Sequence, residues 1–306
     1  MTGTGTRPIC PDFDGIRSLL VAPSQPIRSG ATMSVSAEEI PDPVVDSGAS
    51  IRQQRRIAAL DGWLRSQADL EPARVVLPRS GHTYSIYLPD EPSRDRMFER
   101  ARTIPGEPMP FWSRIWSSGV ALADFILEPG RGELLAGRQV LELGSGLGVT
   151  AAAAVEVGAK LLASDYTPLS LGFCRYNALM NTGRSPRTLC VNWRQPTTQA
   201  TIRAESFNGF PVVLAADVLY ESPDIDPLIE LIDRLLAPDG VLWLAEPGRK
   251  TSERFLNTVA LAGWRGESFY SEGPWPDGTT TRVGIHLLQR PPGAEALLDT
   301  LGGWRT

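Results

Sequence analysis

Lysine and histidine are scarce in this 306-residue chain: of 30 basic residues only Lys160 and Lys250 are lysines, and the two histidines are His82 and His286. Arginine is not interchangeable with lysine at bidentate sites. An excess spread over the whole chain, beside abundant Ala, Gly and Pro, reads instead as the imprint of GC-rich coding DNA. The three cysteines, Cys10, Cys174 and Cys190, are odd in number and share no metal-type spacing. That argues against a disulfide framework and a zinc centre, so no metal is expected and a reducing cytoplasm is the natural compartment. No apolar run approaches the roughly 18 residues that cross a bilayer, so no membrane partner is expected. The opening MTGTGTRPICPDFDG lacks the charged-then-apolar order of a signal peptide. A net charge of −5 gives no electrostatic reason to expect a nucleic-acid partner. With 42% hydrophobic and 21% charged residues, the chain suits a soluble globular protein with a sizeable core.

Residues 1–50 are rich in Gly, Pro, Ser and Thr and hold a single aromatic residue, Phe13. Such a segment buries too little apolar surface to offset its ordering entropy, and a disordered tail is expected there. Met33 lies inside it as a second plausible start. In IRQQRRIAALDGWLRSQADL, Ile57, Leu60, Trp63 and Leu64 recur at helical spacing. ARVVLP and HTYSIYLP then read as two short strands around a turn at Arg79-Ser80-Gly81, and SRDRMFERA as a short helix. Residues 51–108 are thus expected to form an N-terminal α+β extension or cap.

From about residue 109 to 292, apolar strands alternate with amphipathic helices. RQVLELG, KLLASD, RTLCVNW, FPVVLAAD and VLWLAEP read as strands. Between them lie VTAAAAVEVGA, TPLSLGFCRYNALMN (with Thr167 as cap and Pro168 in the first turn), DPLIELIDRLLAPDG and, last, SERFLNTVALAG. GESFY and TRVGIHLLQ read as a closing antiparallel pair, and 293–306 as a C-terminal tail. The fold class expected is α/β: a doubly wound, mostly parallel, Rossmann-like sheet.

The sharpest motif is VLELGSGLG, residues 140–148. A strand running into Gly144, Gly146 and Gly148 ahead of a helix allows a tight turn and close backbone approach, and free N–H groups at the helix start favour a negative ligand group. The G-x-G-x-G spacing differs from the G-x-G-x-x-G of dinucleotide folds. It favours a carboxylate-bearing single nucleoside over a nicotinamide dinucleotide, which stays as a lesser alternative. Asp165 ends the next strand, where an acid can accept both ribose hydroxyls. Glu142 sits inside a buried strand and needs a partner, either a ligand ammonium or an internal arginine.

These residues resemble the class I, seven-strand S-adenosylmethionine-dependent methyltransferases. PFWSRIWSSGVALADFI before the first strand, Asn192-Trp193 after the third and DVLYE after the fourth narrow the resemblance to the family-16 branch. That branch includes protein-lysine methyltransferases such as the electron transfer flavoprotein β-subunit enzyme. The resemblance implies S-adenosyl-L-methionine as cofactor, with Gly144, Ser145 and Gly146 cradling its aminocarboxypropyl end and Glu142 beside them. It places Asp165 at the ribose, Trp116 packed beside the cofactor, and Asn192 and Trp193 at the adenine. Asp217 and Tyr220 are its catalytic candidates at the mouth, Asp217 also touching the cofactor's methionine part. Trp112 and Glu221 are further candidates around the acceptor. The implied activity is methyl transfer to a protein lysine, the alternative being N- or O-methylation of a small molecule.

Overall fold

Ser50 caps the first helix with its hydroxyl, which accepts from Gln53 N (3.2 Å), and the apolar positions read above place the helix at Ile51–Arg65 (α1), burying Leu60 and Leu64. The structure, a computed structural model, describes residues 50–291 apart from Pro196 and Phe207. The tail expected over residues 1–50, apart from Ser50, and that expected over 293–306 lie outside these described residues. After α1 come β1 (Leu70–Val76) and β2 (Thr83–Pro89), an antiparallel hairpin, and α2 (Glu91–Thr103), capped by Asp90. α3 (Ser117–Leu127) then leads into the alternating region, and its Asp124 carboxylate accepts both Arg79 N and Ser80 N, tying down the hairpin turn.

The alternation is β3 (Gln139–Leu143), α4 (Val149–Glu156), β4 (Lys160–Asp165), α5 (Pro168–Thr182), β5 (Arg187–Cys190), α6 (Thr198–Arg203) and β6 (Phe210–Ala216). α7 (Ile225–Leu235), β7 (Leu236–Glu246), α8 (Lys250–Leu261), β8 (Arg265–Ser271) and β9 (Val283–Gln289) complete it. The seven strands β3–β9 form one sheet in the order β5-β4-β3-β6-β7-β9-β8. β5 through β7 run parallel in that order, and β9 pairs antiparallel with both β7 and β8. β4 and β5 are added on one side of β3, and β6 and β7 on the other, so the strand order switches between β3 and β6. The crevice at the carboxyl ends of those two parallel strands is where such folds bind ligands.

Alternate residues of the strands enter two cores. Val140, Ala163, Leu214 and Trp243 face α3, α4 and α5, while Leu141, Leu143, Val213 and Leu244 face α7 and α8. Leu60, Leu64, Val75, Leu77 and Ile86 of the N-terminal elements join the first of these cores. Three details depart from the expected elements. β5 stops at Cys190, short of the strand expected through Trp193, because Asn192 Oδ1 accepts Arg194 N (2.9 Å) and turns the chain. α6 was not foreseen. β7 begins at Leu236, inside the stretch read as helix, and a register shift opposite Phe210–Val212 absorbs Ala237 to Gly240.

Candidate functional site

β3 ends in the turn Gly144-Ser145-Gly146. A Cβ on Gly144 would lie 2.9 Å from Val218 Cγ1, so no larger residue fits between β3 and the chain leaving β6. Gly144 N and Ser145 N both donate to Ser164 O (2.9 and 3.0 Å), and Gly146 N donates to Asp165 Oδ2 (3.0 Å). The three N–H groups expected to cradle a ligand are therefore held inside the protein. What these three residues offer a ligand is backbone surface without a free N–H.

Two buried carboxylates flank the turn. Asp165 is 2% exposed, and its Oδ1 accepts Tyr166 N (2.8 Å). Burial pushes its pKa up, while the Gly146 amide and the Ser170 hydroxyl oppose the shift. Glu142, on the same face of the sheet as Val140, is also 2% exposed, and its Oε2 has no hydrogen-bond partner. Burial first, and the Asp165 charge second, push its pKa up to about 8. Among the described residues no arginine partners it, so the internal pairing considered from the sequence is not found there.

A cavity of about 260 Å³ opens over the turn. Of the residues singled out from the sequence, it brings together Trp116, Gly144, Gly146, Asp165, Trp193, Asp217 and Tyr220, with Trp112 and Glu221 beside them. Glu142 and Ser145 are buried and are not part of the wall. Asn192 is also absent from the wall, its side-chain oxygen being used in its own turn.

Residues 109–116 are pinned over the mouth. Tyr166 Oη donates to Met109 O (2.6 Å), and Trp116 Nε1 donates to Phe111 O (2.8 Å). The Trp112 ring packs on Phe173, and the Phe111 ring stands edge-on to Tyr220, centroids 5.3 Å apart.

Asp217 holds a left-handed backbone (φ 57°), with its N–H donating to Ala245 O (3.0 Å). The Arg249 guanidinium bonds its Oδ1, and Ser118 Oγ donates to Oδ2 (3.4 Å). Burial raises the pKa of Asp217, and Arg249 opposes the rise. Glu221 is likewise engaged, by Arg194, which also bonds Asp224. Sequence reading missed Arg249, Phe111 and Tyr166. A signal existed for Arg249: it follows the strand next to β6, at the same carboxyl edge as Asp217.

Of the groups that S-adenosylmethionine presents, the residues here fit its ammonium, its ribose diol and its flat base. The partnerless Glu142 carboxylate beside the turn lacks a positive charge to meet it. Asp165 keeps oxygen lone pairs for hydroxyl donors, and Trp116 and Trp193 offer flat apolar walls. Among the described residues no group of His, Cys, Asp and Glu could hold a metal ion, and no helix is long and apolar enough to cross a membrane.

Comparison with known proteins agrees. Residues 112–262 match a family described as lysine methyltransferase. The protein-lysine methyltransferase METTL21E of Mus musculus is 30% identical over 148 residues, which cover 47% of this chain and 59% of that protein. The electron transfer flavoprotein beta subunit lysine methyltransferase of Danio rerio is 31% identical over 148 residues, covering 48% and 53%. The chain thus spans less than two thirds of these relatives' length. Among solved structures, the N-methyltransferase NodS from Bradyrhizobium japonicum in complex with S-adenosyl-l-homocysteine superposes with a TM-score of 0.43 at 16% identity, covering 65% of this chain and 98% of that one. Over residues 112–262 the chain thus resembles the lysine methyltransferase family of class I S-adenosylmethionine-dependent methyltransferases.

Proposed function

We propose that this protein transfers a methyl group from S-adenosylmethionine to the side-chain nitrogen of a protein lysine. The observation that carries the reading is the buried, partnerless Glu142 carboxylate beside a glycine turn that lines a cavity walled by Trp116, Asp165 and Trp193. When bound, the cofactor supplies a methyl group already activated on a sulfonium. The chain then needs to hold the cofactor and to present a deprotonated nucleophile at near-attack distance. In this reading Asp165 accepts the ribose hydroxyls, and Glu142 attracts the ammonium through the turn. Trp116 and Trp193 pack against the cofactor, and Gly144, Ser145 and Gly146 shape the surface on which it lies. Asn192 serves the adenine only by turning the chain behind Trp193. Asp217 and Tyr220 orient the acceptor amine at the mouth, and the rings of Phe111 and Trp112 favour the positive charge that develops on it as the methyl is transferred, by cation–π attraction.

One observation favours the second reading, a small-molecule N- or O-acceptor. The carboxylates at the mouth, Asp217 and Glu221, are already engaged by Arg249 and Arg194, which lowers the attraction for an incoming ammonium. Cysteine usage supports a cytoplasmic setting, and the acidic net charge argues against a nucleic-acid partner. The deciding experiment incubates the purified protein with methyl-labelled S-adenosylmethionine and a cell lysate. Label in protein, recovered on lysine after hydrolysis, is the expected result. Label confined to small metabolites would replace the first reading by the second.

A further inference from the structure

Asn177, on α5, is fully buried and uses its side-chain amide three times. Its Oδ1 accepts Tyr87 N (2.8 Å), and its Nδ2 donates to Tyr87 O (2.8 Å) and to Leu147 O (2.9 Å). Only one amide orientation satisfies all three, because a backbone N–H needs an acceptor and the two carbonyls need donors. Asn181, one turn further along α5, repeats the grip on β2: its Oδ1 accepts Ser85 N (2.8 Å) and its Nδ2 donates to Ser85 O (2.9 Å). Two asparagines four residues apart therefore replace the neighbouring strand that the edge of β2 lacks. They differ in one respect. The second hydrogen of the Asn181 amide stays on α5, donating to Asn177 O (2.7 Å), whereas that of Asn177 reaches the residue between Gly146 and Gly148. α5 takes hold of the same turn once more, Ser170 Oγ donating to Gly146 O (2.9 Å).

We propose that Asn177 is a positioning residue for the cofactor: it locks the backbone of β2 to the glycine turn, so that the N-terminal hairpin sets the turn's conformation. The inference rests on the reading of that turn as the S-adenosylmethionine cradle. A turn whose first three N–H groups are committed to Ser164 and Asp165 is held on the β4 side. Its outer half, at Leu147, depends on Asn177 for its side-chain anchor. Loosening Leu147 frees the Ser145–Gly148 hydrogen bond to open, and the binding surface then has to be reordered by the ligand, at a cost in affinity.

The test compares Asn177→Ala with Asn181→Ala in the full chain, with Asn177→Ser in place of the first where that variant does not fold. Both variants lose part of the grip on β2, so both are expected to lower the thermal midpoint. Only the Asn177 variant is expected to weaken S-adenosylhomocysteine binding by calorimetry, by about tenfold or more relative to Asn181→Ala. In the ligand-free proteins, hydrogen exchange at the Gly148 amide is expected to be about tenfold faster in the Asn177 variant and unchanged in Asn181→Ala. Equal affinities, or equal exchange at Gly148, overturn the proposal. Should the wild-type protein bind no S-adenosylhomocysteine, the reading of function falls, and the exchange comparison still decides whether Asn177 holds the turn.

Discussion

Glu142 and Asp165 are both buried carboxylates, yet only one is provided for. Asp165 accepts two backbone N–H groups, whereas Glu142 Oε2 accepts nothing, and the pKa of Glu142 rises to about 8. In the unfolded chain that carboxyl titrates in the usual range, so between about pH 4.5 and 8 the folded state binds more protons than the unfolded one. Stability of the ligand-free protein therefore falls as pH rises through this window. Glu142→Gln, which needs no ionisation, should flatten that decline and be the more stable protein at pH 8, by a few kcal/mol. Thermal midpoints from pH 5 to 8 check this. Parallel curves for wild type and variant would show that Glu142 is not the group that titrates.

Tyr220 poses a separate question, because its ring packs edge-on against Phe111 while burial raises the pKa of its hydroxyl. If the hydroxyl holds the acceptor, Tyr220→Phe keeps the ring contacts and S-adenosylhomocysteine affinity but lowers kcat by about a hundredfold. Single-turnover rates at saturating cofactor measure it, and a wild-type rate leaves the residue a packing role.

Among the elements, α4 shows how a glycine can be required for two different reasons. Gly148 and Gly158 flank the helix and both have left-handed backbone, φ 84° and 88°. A Cβ at Gly158 would meet nothing within 4 Å, while one at Gly148 would come within 2.7 Å of Cys174 Cα on α5. Gly158→Ala should therefore cost only backbone strain, about 1 kcal/mol. Gly148→Ala adds the overpacking of two helices, about 1–3 kcal/mol more. Urea denaturation distinguishes them, and equal losses would mean that close packing of α4 on α5 does not select Gly148. α4 and α5 were legible from their apolar spacing and from Thr167 and Pro168. Their closeness was only hinted at, since a glycine after G-x-G reads equally as ligand cradle or helix contact.

For the whole molecule, the N-terminal elements and the sheet share one core. Leu60, Leu64, Val75, Tyr84 and Ile86 belong to the same buried cluster as Val140, Phe173 and Trp243. Tyr84 Oη donates to Glu156 (2.5 Å) and Tyr176 Oη to Asp61 (3.0 Å), so polar contacts cross the same boundary. Removing residues 1–103 should expose one face of α5 and lower the melting temperature by more than about 10 °C, or leave no cooperative transition. A truncated protein that melts like the full chain would show that these elements are a dispensable appendage.

By itself the sequence determined the alternation of strands and helices, the antiparallel closing pair and the glycine turn followed by an acid at the next strand end. Those features rest on local rules: side-chain periodicity, capping and the backbone demands of glycine act over a few residues and leave their mark in order along the chain. Tertiary structure alone decided that Arg249 takes hold of Asp217, that Asn192 turns away from the cavity wall, and that Asn177 joins a hairpin 90 residues away to the turn. Each of these depends on which group a polar side chain meets first once strands far apart in sequence lie side by side. A buried donor or acceptor takes whichever partner the packing brings within about 3 Å, and no local pattern records that choice.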